Sequence, residues 1–186
     1  MNIHVDIVVV GGALTGAIAA LSLANETTCS VAIVEPSGIP SLPSGEISNR
    51  VVALNEASIR HLSELDIGKP MARSSDYSRM KVWDGEGTGV VTFGAEESSF
   101  VANSDGAFLD GLGRIVENNQ LLADAWQRIL QNQAIQVFSN HSVESIDNTR
   151  DHAQLTLSNG DVLQADLVVA ADGAHSGIRD KVGIRC

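Results

Sequence analysis

The stretch from Asp6 to Glu35 limits the fold of this chain more than any other part of it. Ile7–Val10 is an uninterrupted apolar, β-branched run, the pattern of a strand buried on both faces in a parallel sheet. Gly11 and Gly12 follow at once, then Ala13 and Gly16, and Ala13 to Ala24 is a run of small or helix-forming residues without proline. The pattern predicts a strand, a tight glycine turn, and a helix that opens at the turn. A second apolar strand is expected at Val31–Val34, with Glu35 at its carboxyl end. Free backbone N–H groups and the helix dipole converge at such a helix start, which makes it an anion site. Glycine lets a pyrophosphate approach the backbone there, and an acid after the second strand can bond a ribose hydroxyl.

The dinucleotide fingerprint is met as Gly11-Gly12-Ala13-Leu14-Thr15-Gly16, with Ala13 where the middle glycine of G-x-G-x-x-G belongs. One methyl group narrows the approach to the phosphates without blocking it. The context is the one the fingerprint requires: a strand before, a helix after, and an acid about 20 residues further on. The alternative is a glycine-packed strand–helix junction with no ligand. Ile7–Ala24 is also uncharged and close to the length of a membrane span. The paired glycines and Asp6 argue against insertion, and no Lys or Arg precedes the run to form the basic region of a signal peptide. The expectation is a buried βα unit in a cytoplasmic chain.

Composition narrows the remaining classes. With 186 residues and 44% hydrophobic content, the chain can form one domain with a good core but not two large ones. A net charge of −11 argues against nucleic acid as a partner and against adsorption to anionic lipid by charge alone. Cys29 and Cys186 are isolated thiols, and His4, His61, His141, His152 and His175 do not pair at ligand spacings. Neither a disulfide framework nor a metal site is expected.

Along the chain, Pro36–Ser48 is rich in Pro, Ser and Gly and reads as a loop. A helix is expected around Asn55–Leu65, with Lys69-Pro70 as its breaker. Met80–Asp84 alternates like a strand, Gly85–Gly89 is a turn and Val90–Phe93 a return strand, together a β-hairpin. Gly94–Gly111 reads as loop. Ile115–Leu130 carries a helical stripe that includes Leu121, Leu122 and Trp126. A short strand at Ile135–Phe138, alternating segments at Ser142–Asp147 and Ala153–Ser158, and a turn at Asn159-Gly160-Asp161 before Val162-Leu163 follow. Asp166–Ala171 reads as a further buried strand ending in Asp172-Gly173, and Ser176–Val182 as the start of a helix. The apolar strands and the hairpin want more covering structure than the residues after them supply, so the chain is expected to be the N-terminal part of a longer protein.

With these segments placed, the chain resembles the FAD-dependent aromatic hydroxylases of the para-hydroxybenzoate hydroxylase type. Within them it is most similar to the ubiquinone-biosynthesis branch, which hydroxylates polyprenyl-phenols. The glycine turn with Glu35 resembles the family's ADP-binding unit, and Ser48–Leu54 resembles its Arg-Val-x-Ala-Leu/Ile segment, whose arginine is Arg50 here. Met80–Asp84 resembles the M-x-V-W-D strand, Leu112–Asn118 the L-G-x-I-V-E-N segment, and Ala171–Arg179 the D-G-x-x-S-x-x-R motif. Ala13 departs from the pattern, and the family's later G-D motif with small residues after it is absent.

The resemblance implies an α/β fold: a Rossmann-like FAD/NAD(P)-binding domain, a parallel sheet with a β-meander crossover, and an inserted antiparallel hairpin from a partial substrate-binding sheet. It implies residues 1–75 and 110–186 as the FAD-binding domain and 76–109 as part of the substrate domain. The implied function is an FAD-dependent monooxygenase that hydroxylates a phenolic ring, using NAD(P)H as co-substrate and O₂. Gly11, Gly12, Ala13 and Gly16 are then expected at the pyrophosphate, Glu35 at the adenosine ribose, Arg50 and Asn118 near the flavin, and Asp172 and Gly173 at a second contact. No protein residue is expected to be a catalytic base, because the flavin carries the difficult chemistry. The implied partners are a small aromatic, prenylated substrate and a ubiquinone-pathway protein complex, with peripheral contact at the inner membrane. Two other readings stay open: an FAD reductase or halogenase of the same fold, and a non-catalytic truncated module acting in such a complex. On the residues alone, Asp172-Gly173 is also a plain turn dipeptide, Arg50 a solvated loop charge and His175 a surface residue. Trp83 is expected to pack the hairpin.

Overall fold

The computed structural model describes residues 2–68, 73–94, 111–149 and 151–185. The chain divides into two compact units, Met1–Leu42 with Leu122–Cys186, and Pro43–Leu121.

The first unit is built on a six-stranded sheet of order β8-β2-β1-β11-β10-β9. Its strands are β1 (Asn2–Val10), β2 (Val31–Glu35), β8 (Ile135–Ser139), β9 (Val143–Asn148), β10 (Ala153–Leu157) and β11 (Val162–Ala170). β1 pairs in parallel with both β2 and β11, and β2 pairs in parallel with β8. β10 is antiparallel to both β9 and β11. The β9–β10–β11 meander is therefore the crossover that returns the chain to the middle of a parallel sheet, as the resemblance implied. The apolar run at Ile7–Val10 lies in the centre of that sheet, with Val8 and Val9 fully buried. α1 (Leu14–Glu26) packs on β1 and β2 through small residues such as Ala17 and Ala20. One core cluster joins Val8, Val10 and Val34 to Leu155, Leu157 and Leu163 of the meander and to Ile178 of α4 (Gly177–Lys181).

The second unit holds a three-stranded antiparallel sheet of order β3-β7-β4, formed by β3 (Val51–Leu54), β7 (Gly113–Glu117) and β4 (Ser74–Tyr77). It also holds α2 (Glu56–Glu64) and a hairpin of β5 (Arg79–Trp83) and β6 (Val90–Gly94). Asn55 caps α2, its side-chain oxygen accepting the Ser58 N–H at 2.8 Å. α3 (Asn118–Gln131) crosses the division between the units, which falls at Leu121.

Three sequence expectations need correction. The helix expected from Ile115 begins three residues later, because Ile115 and Val116 pair with both β3 and β4. A β-branched pair with partners on both sides is worth more in a sheet than on a helix end. Val162-Leu163 and Asp166–Ala171 are not separate segments: β11 is one nine-residue strand, held along its length by β1. Trp83 does not pack the hairpin; it is 66% exposed, and every residue of β5 and β6 is exposed. The helix expected around Asn55–Leu65 is α2, with Asn55 and Leu65 as its caps, and the Lys69-Pro70 breaker lies outside the described residues. Most of the Gly94–Gly111 loop lies outside them too.

Candidate functional site

The glycine turn is shaped by the backbones it touches. Gly11 has φ +101°, a conformation that side-chain-bearing residues rarely adopt. A Cβ there would lie 2.6 Å from the Ala171 carbonyl carbon and 2.9 Å from Asp172 Cα. The turn is pinned from both sides, with Gly11 N–H donating to Val34 O at 2.9 Å and Ala171 N–H donating to Val10 O at 2.7 Å. Gly16 allows α1 to lie against the turn, since a Cβ there would overlap Gly11 O and reach 3.1 Å from Ala171 Cβ.

α1 opens at this turn with Ala13 as its N-cap, and no side chain caps it. No acidic residue stands in its first turn. No side chain of α1 itself therefore occupies its leading N–H groups or its positive dipole end. Ala13 is exposed, so its methyl group lies at the surface of the turn. This is a cradle that a side chain would fill, combined with donors that lack a protein acceptor, and it fits the pyrophosphate of a dinucleotide.

Glu35 does more than wait at the strand end. Its Oε2 accepts the Gly12 N–H at 2.5 Å and its Oε1 accepts the Ser37 N–H at 2.8 Å. The acid thereby ties the end of β2 to the glycine turn while remaining partly exposed. Trp126, expected only as core, also reaches the turn: it is fully buried and its Nε1–H donates to Gly12 O at 2.8 Å.

Asp172 and Gly173 arrive next to the turn because β11 is the neighbour of β1. Gly173 has φ +90° with open space around it. The Asp172 carboxylate accepts the Ser176 hydroxyl at 2.6 Å and the Ile178 N–H at 3.0 Å. Burial raises its pKa, but these bonds outweigh that and hold the carboxyl below its ordinary value. The D-G-x-x-S-x-x-R motif is thus first a self-contained loop. Asp172 grips the start of α4, Ser176 caps it through the Arg179 N–H at 3.0 Å, and the Arg179 guanidinium reaches Ala174 O at 3.4 Å. His175 is exposed, as expected of a surface residue.

Gly11, Ala13, Glu35, Asp172 and Gly173 line one cleft of about 360 Å³, with His141 and Lys181 at its edge. A cleft of this size is in the range of small-molecule sites. Gly12 and Gly16 sit beneath it, both buried. The structure therefore gathers seven of the nine sequence-predicted site residues around one turn.

Arg50 and Asn118 belong to the other unit, where they meet through the backbone: Asn118 N–H donates to Arg50 O at 3.0 Å. Asn118 is buried and Arg50 exposed. Beside them lies a buried charge that the sequence reading missed. Glu117 is 1% exposed and ion-paired with Arg73 through Oε2 and Nε, a contact without hydrogen-bond alignment. Glu117 Oε1 accepts the Ser48 N–H at 3.1 Å, and Arg73 donates to Gly45 O at 3.1 Å. The pair straps the irregular segment that carries Arg50 to β7. An acid beside an asparagine in an apolar run was visible, but its partner lies 44 residues away in sequence, at Arg73.

Among the described residues, no group of His, Cys, Asp and Glu is placed to hold a metal ion, and no helix is long and apolar enough to cross a membrane.

Comparison with known proteins identifies the fold around this cleft. The family model described as "FAD binding domain" matches residues 4–186. The chain is 29% identical to the 3-demethoxyubiquinol 3-hydroxylase of Escherichia coli K12, an alignment covering 98% of the chain and 45% of that protein. It is 26% identical to the mitochondrial ubiquinone biosynthesis monooxygenase COQ6 of Drosophila melanogaster, covering 97% of the chain and 38% of the relative. The chain thus spans about two-fifths of the length of the curated relatives it matches. Among solved structures, the probable FAD-dependent monooxygenase pqsL of Pseudomonas aeruginosa superimposes with a TM-score of 0.68 at 21% identity, over 96% of this chain and 45% of that one. A geranylgeranyl bacteriochlorophyll reductase-like protein of Thermoplasma acidophilum superimposes with a TM-score of 0.68 at 17% identity, over 100% of this chain and 43% of that one. At these identities the superpositions show the fold.

Proposed function

The chain belongs to the FAD-binding domain family, and from that premise we propose that it is the flavin-holding portion of an NAD(P)H- and O₂-dependent monooxygenase that hydroxylates a phenolic ring, a polyprenyl-phenol of ubiquinone biosynthesis. The observation that carries the proposal is the single cleft shared by the glycine turn, Glu35 and Asp172-Gly173. The relatives' names support the substrate class.

FAD, when bound, supplies the transfer of electrons from NAD(P)H to O₂ that ring hydroxylation needs. The chain's own residues bind and orient. Gly11, Gly12 and Gly16 keep the turn open to the pyrophosphate, and Ala13 and the start of α1 offer it N–H donors. Glu35 has lone pairs for the adenosine ribose beyond those used by Gly12 and Ser37. Asp172 holds the loop that presents Gly173, where backbone can come close to the cofactor. Arg50 and Asn118 serve the flavin end. Residues 1–75 and 110–186 form the FAD-binding domain, and 76–109 contribute to the substrate domain. The exposed apolar side chains of β5 and β6 suit that second role. Work on a lipid-soluble phenol brings the protein to the inner membrane surface from the cytoplasmic side, in contact with other proteins of the pathway.

The test is product analysis on the protein supplied with FAD, NAD(P)H, O₂ and a polyprenyl-phenol. A hydroxylated ring is the expected product. Reduction of an alkene would favour the reductase reading. FAD binding with no NAD(P)H oxidation would point to a non-catalytic module.

A further inference from the structure

The glycine turn is held by a side chain that no dinucleotide fingerprint contains. Trp126 sits on α3, fully buried, and its Nε1–H donates to Gly12 O at 2.8 Å across 114 residues of sequence. An indole has one polar atom, a donor, and when buried it must find an acceptor. Here the acceptor is the carbonyl of the peptide that joins Gly12 to Ala13.

That choice fixes a direction. A trans peptide is planar, and its C=O and N–H point to opposite sides. With the Gly12 carbonyl directed at the indole, the Ala13 N–H is directed away from it, and Ala13 lines the cleft. The preceding peptide is fixed as well, because the Gly12 N–H is taken by Glu35 Oε2 at 2.5 Å. Gly12 is wedged between the two side chains: a Cβ on it would lie 2.5 Å from Trp126 Cζ2 and 3.0 Å from Glu35 Cβ. Glycine at position 12 is therefore demanded by Trp126 and Glu35, whereas Gly11 and Gly16 are demanded by backbone.

We propose that Trp126 is a positioning residue for the cofactor: through Gly12 O it sets the Gly12–Ala13 peptide so that the Ala13 N–H donates to the pyrophosphate of FAD. The inference rests on the reading that the turn holds that pyrophosphate. Pre-setting one donor spares the ligand the ordering of the turn. It also accounts for the alanine at position 13, because a peptide locked from below leaves only the N–H to be presented, and the methyl group stays at the surface.

The experiment compares the protein with Trp126→Phe, which keeps a buried ring and loses the donor, and with Trp126 replaced by 3-benzothienylalanine, which keeps the bicyclic shape and puts sulfur in place of N–H. FAD affinity is measured by flavin fluorescence, and the ¹⁵N–¹H signal of Ala13 is followed through the titration. Both variants are expected to bind FAD about tenfold more weakly, the loss of one well-placed hydrogen bond. In both, the FAD-dependent shift of the Ala13 amide shrinks. A purely structural role would lower the thermal midpoint and leave the Ala13 shift of the folded protein intact. Unchanged affinity and an unchanged Ala13 shift in the benzothienylalanine protein would overturn the proposal while leaving the FAD reading in place. Failure of the unsubstituted protein to bind FAD would overturn both.

Discussion

Removing the carboxylate of Glu117 should loosen the segment that carries Arg50. In Glu117→Gln the amide keeps an oxygen for the Ser48 N–H but leaves the Arg73 guanidinium, 17% exposed, without a counter-charge. Breaking a buried ion pair from one side costs about 3–5 kcal/mol. Arg73 retains some solvent and its bond to Gly45 O, which places this variant near the lower end, about 3 kcal/mol. Arg73→Met is the harsher change, because it strands a carboxylate that is 1% exposed, and about 5 kcal/mol is expected. The double variant Glu117→Leu/Arg73→Met, apolar on both sides, should recover most of the loss. The assay is native-state hydrogen exchange at the Ser48 and Asn118 amides, which report the two bonds that hold the segment. A loss of about 3 kcal/mol appears there as faster exchange by roughly two orders of magnitude. Single variants that each cost under about 1 kcal/mol, or a double variant as unstable as the sum of the singles, would refute the argument that this pair is an interdependent buried strap.

Other outcomes follow from the same geometry. Gly16→Ala should destabilise by about 1–3 kcal/mol despite alanine's better helix propensity, because its Cβ overlaps the Gly11 carbonyl. A thermal melt reads this as a drop of several degrees, and an unchanged midpoint would mean that α1 can lift off the turn without cost. Asp172 has a folded-state pKa below its ordinary value. Its contribution to stability is therefore full above the unfolded pKa of about 3.9 and is lost as pH falls through the lower folded value. Asp172→Asn should be less stable than the natural chain at pH 7, and the gap should close on acidification below about pH 3.9. A gap that stayed constant with pH would show that the carboxylate charge does not hold the α4 loop.

The sequence was most legible where structure is local. A β-branched run, a glycine turn and an acid at the next strand end needed no distant partner to be read, and they define the centre of the sheet and most of the cleft. Reading faltered where distant pairing decides. Ile115 and Val116 fit the apolar stripe of the helix that follows, and only β3 and β4 on either side make them strand. Ser74–Tyr77 is polar throughout and becomes β4 by pairing with β7 alone. Gln164 and Ala165 fell between the two segments expected there, yet both pair with β1 and join them into β11. The side chains missed in the site share this cause. Trp126 was legible as core from its helical period, but its bond to Gly12 depends on how α3 meets the turn. Glu117 was legible only as part of the L-G-x-I-V-E-N segment, because Arg73 and Ser48, which enclose it, are distant in sequence.

The central claim is that the glycine turn, Glu35 and Asp172-Gly173 form one FAD site. The most direct measurement is a titration of the ¹⁵N-labelled chain with FAD, followed by flavin fluorescence and amide shifts, with Glu35→Ala alongside. The account predicts saturable binding, shifts centred on Gly11–Gly16, Glu35 and Gly173, and weaker binding in the variant. Saturable binding whose shifts fall elsewhere, with Glu35→Ala indistinguishable from the natural chain, would contradict it.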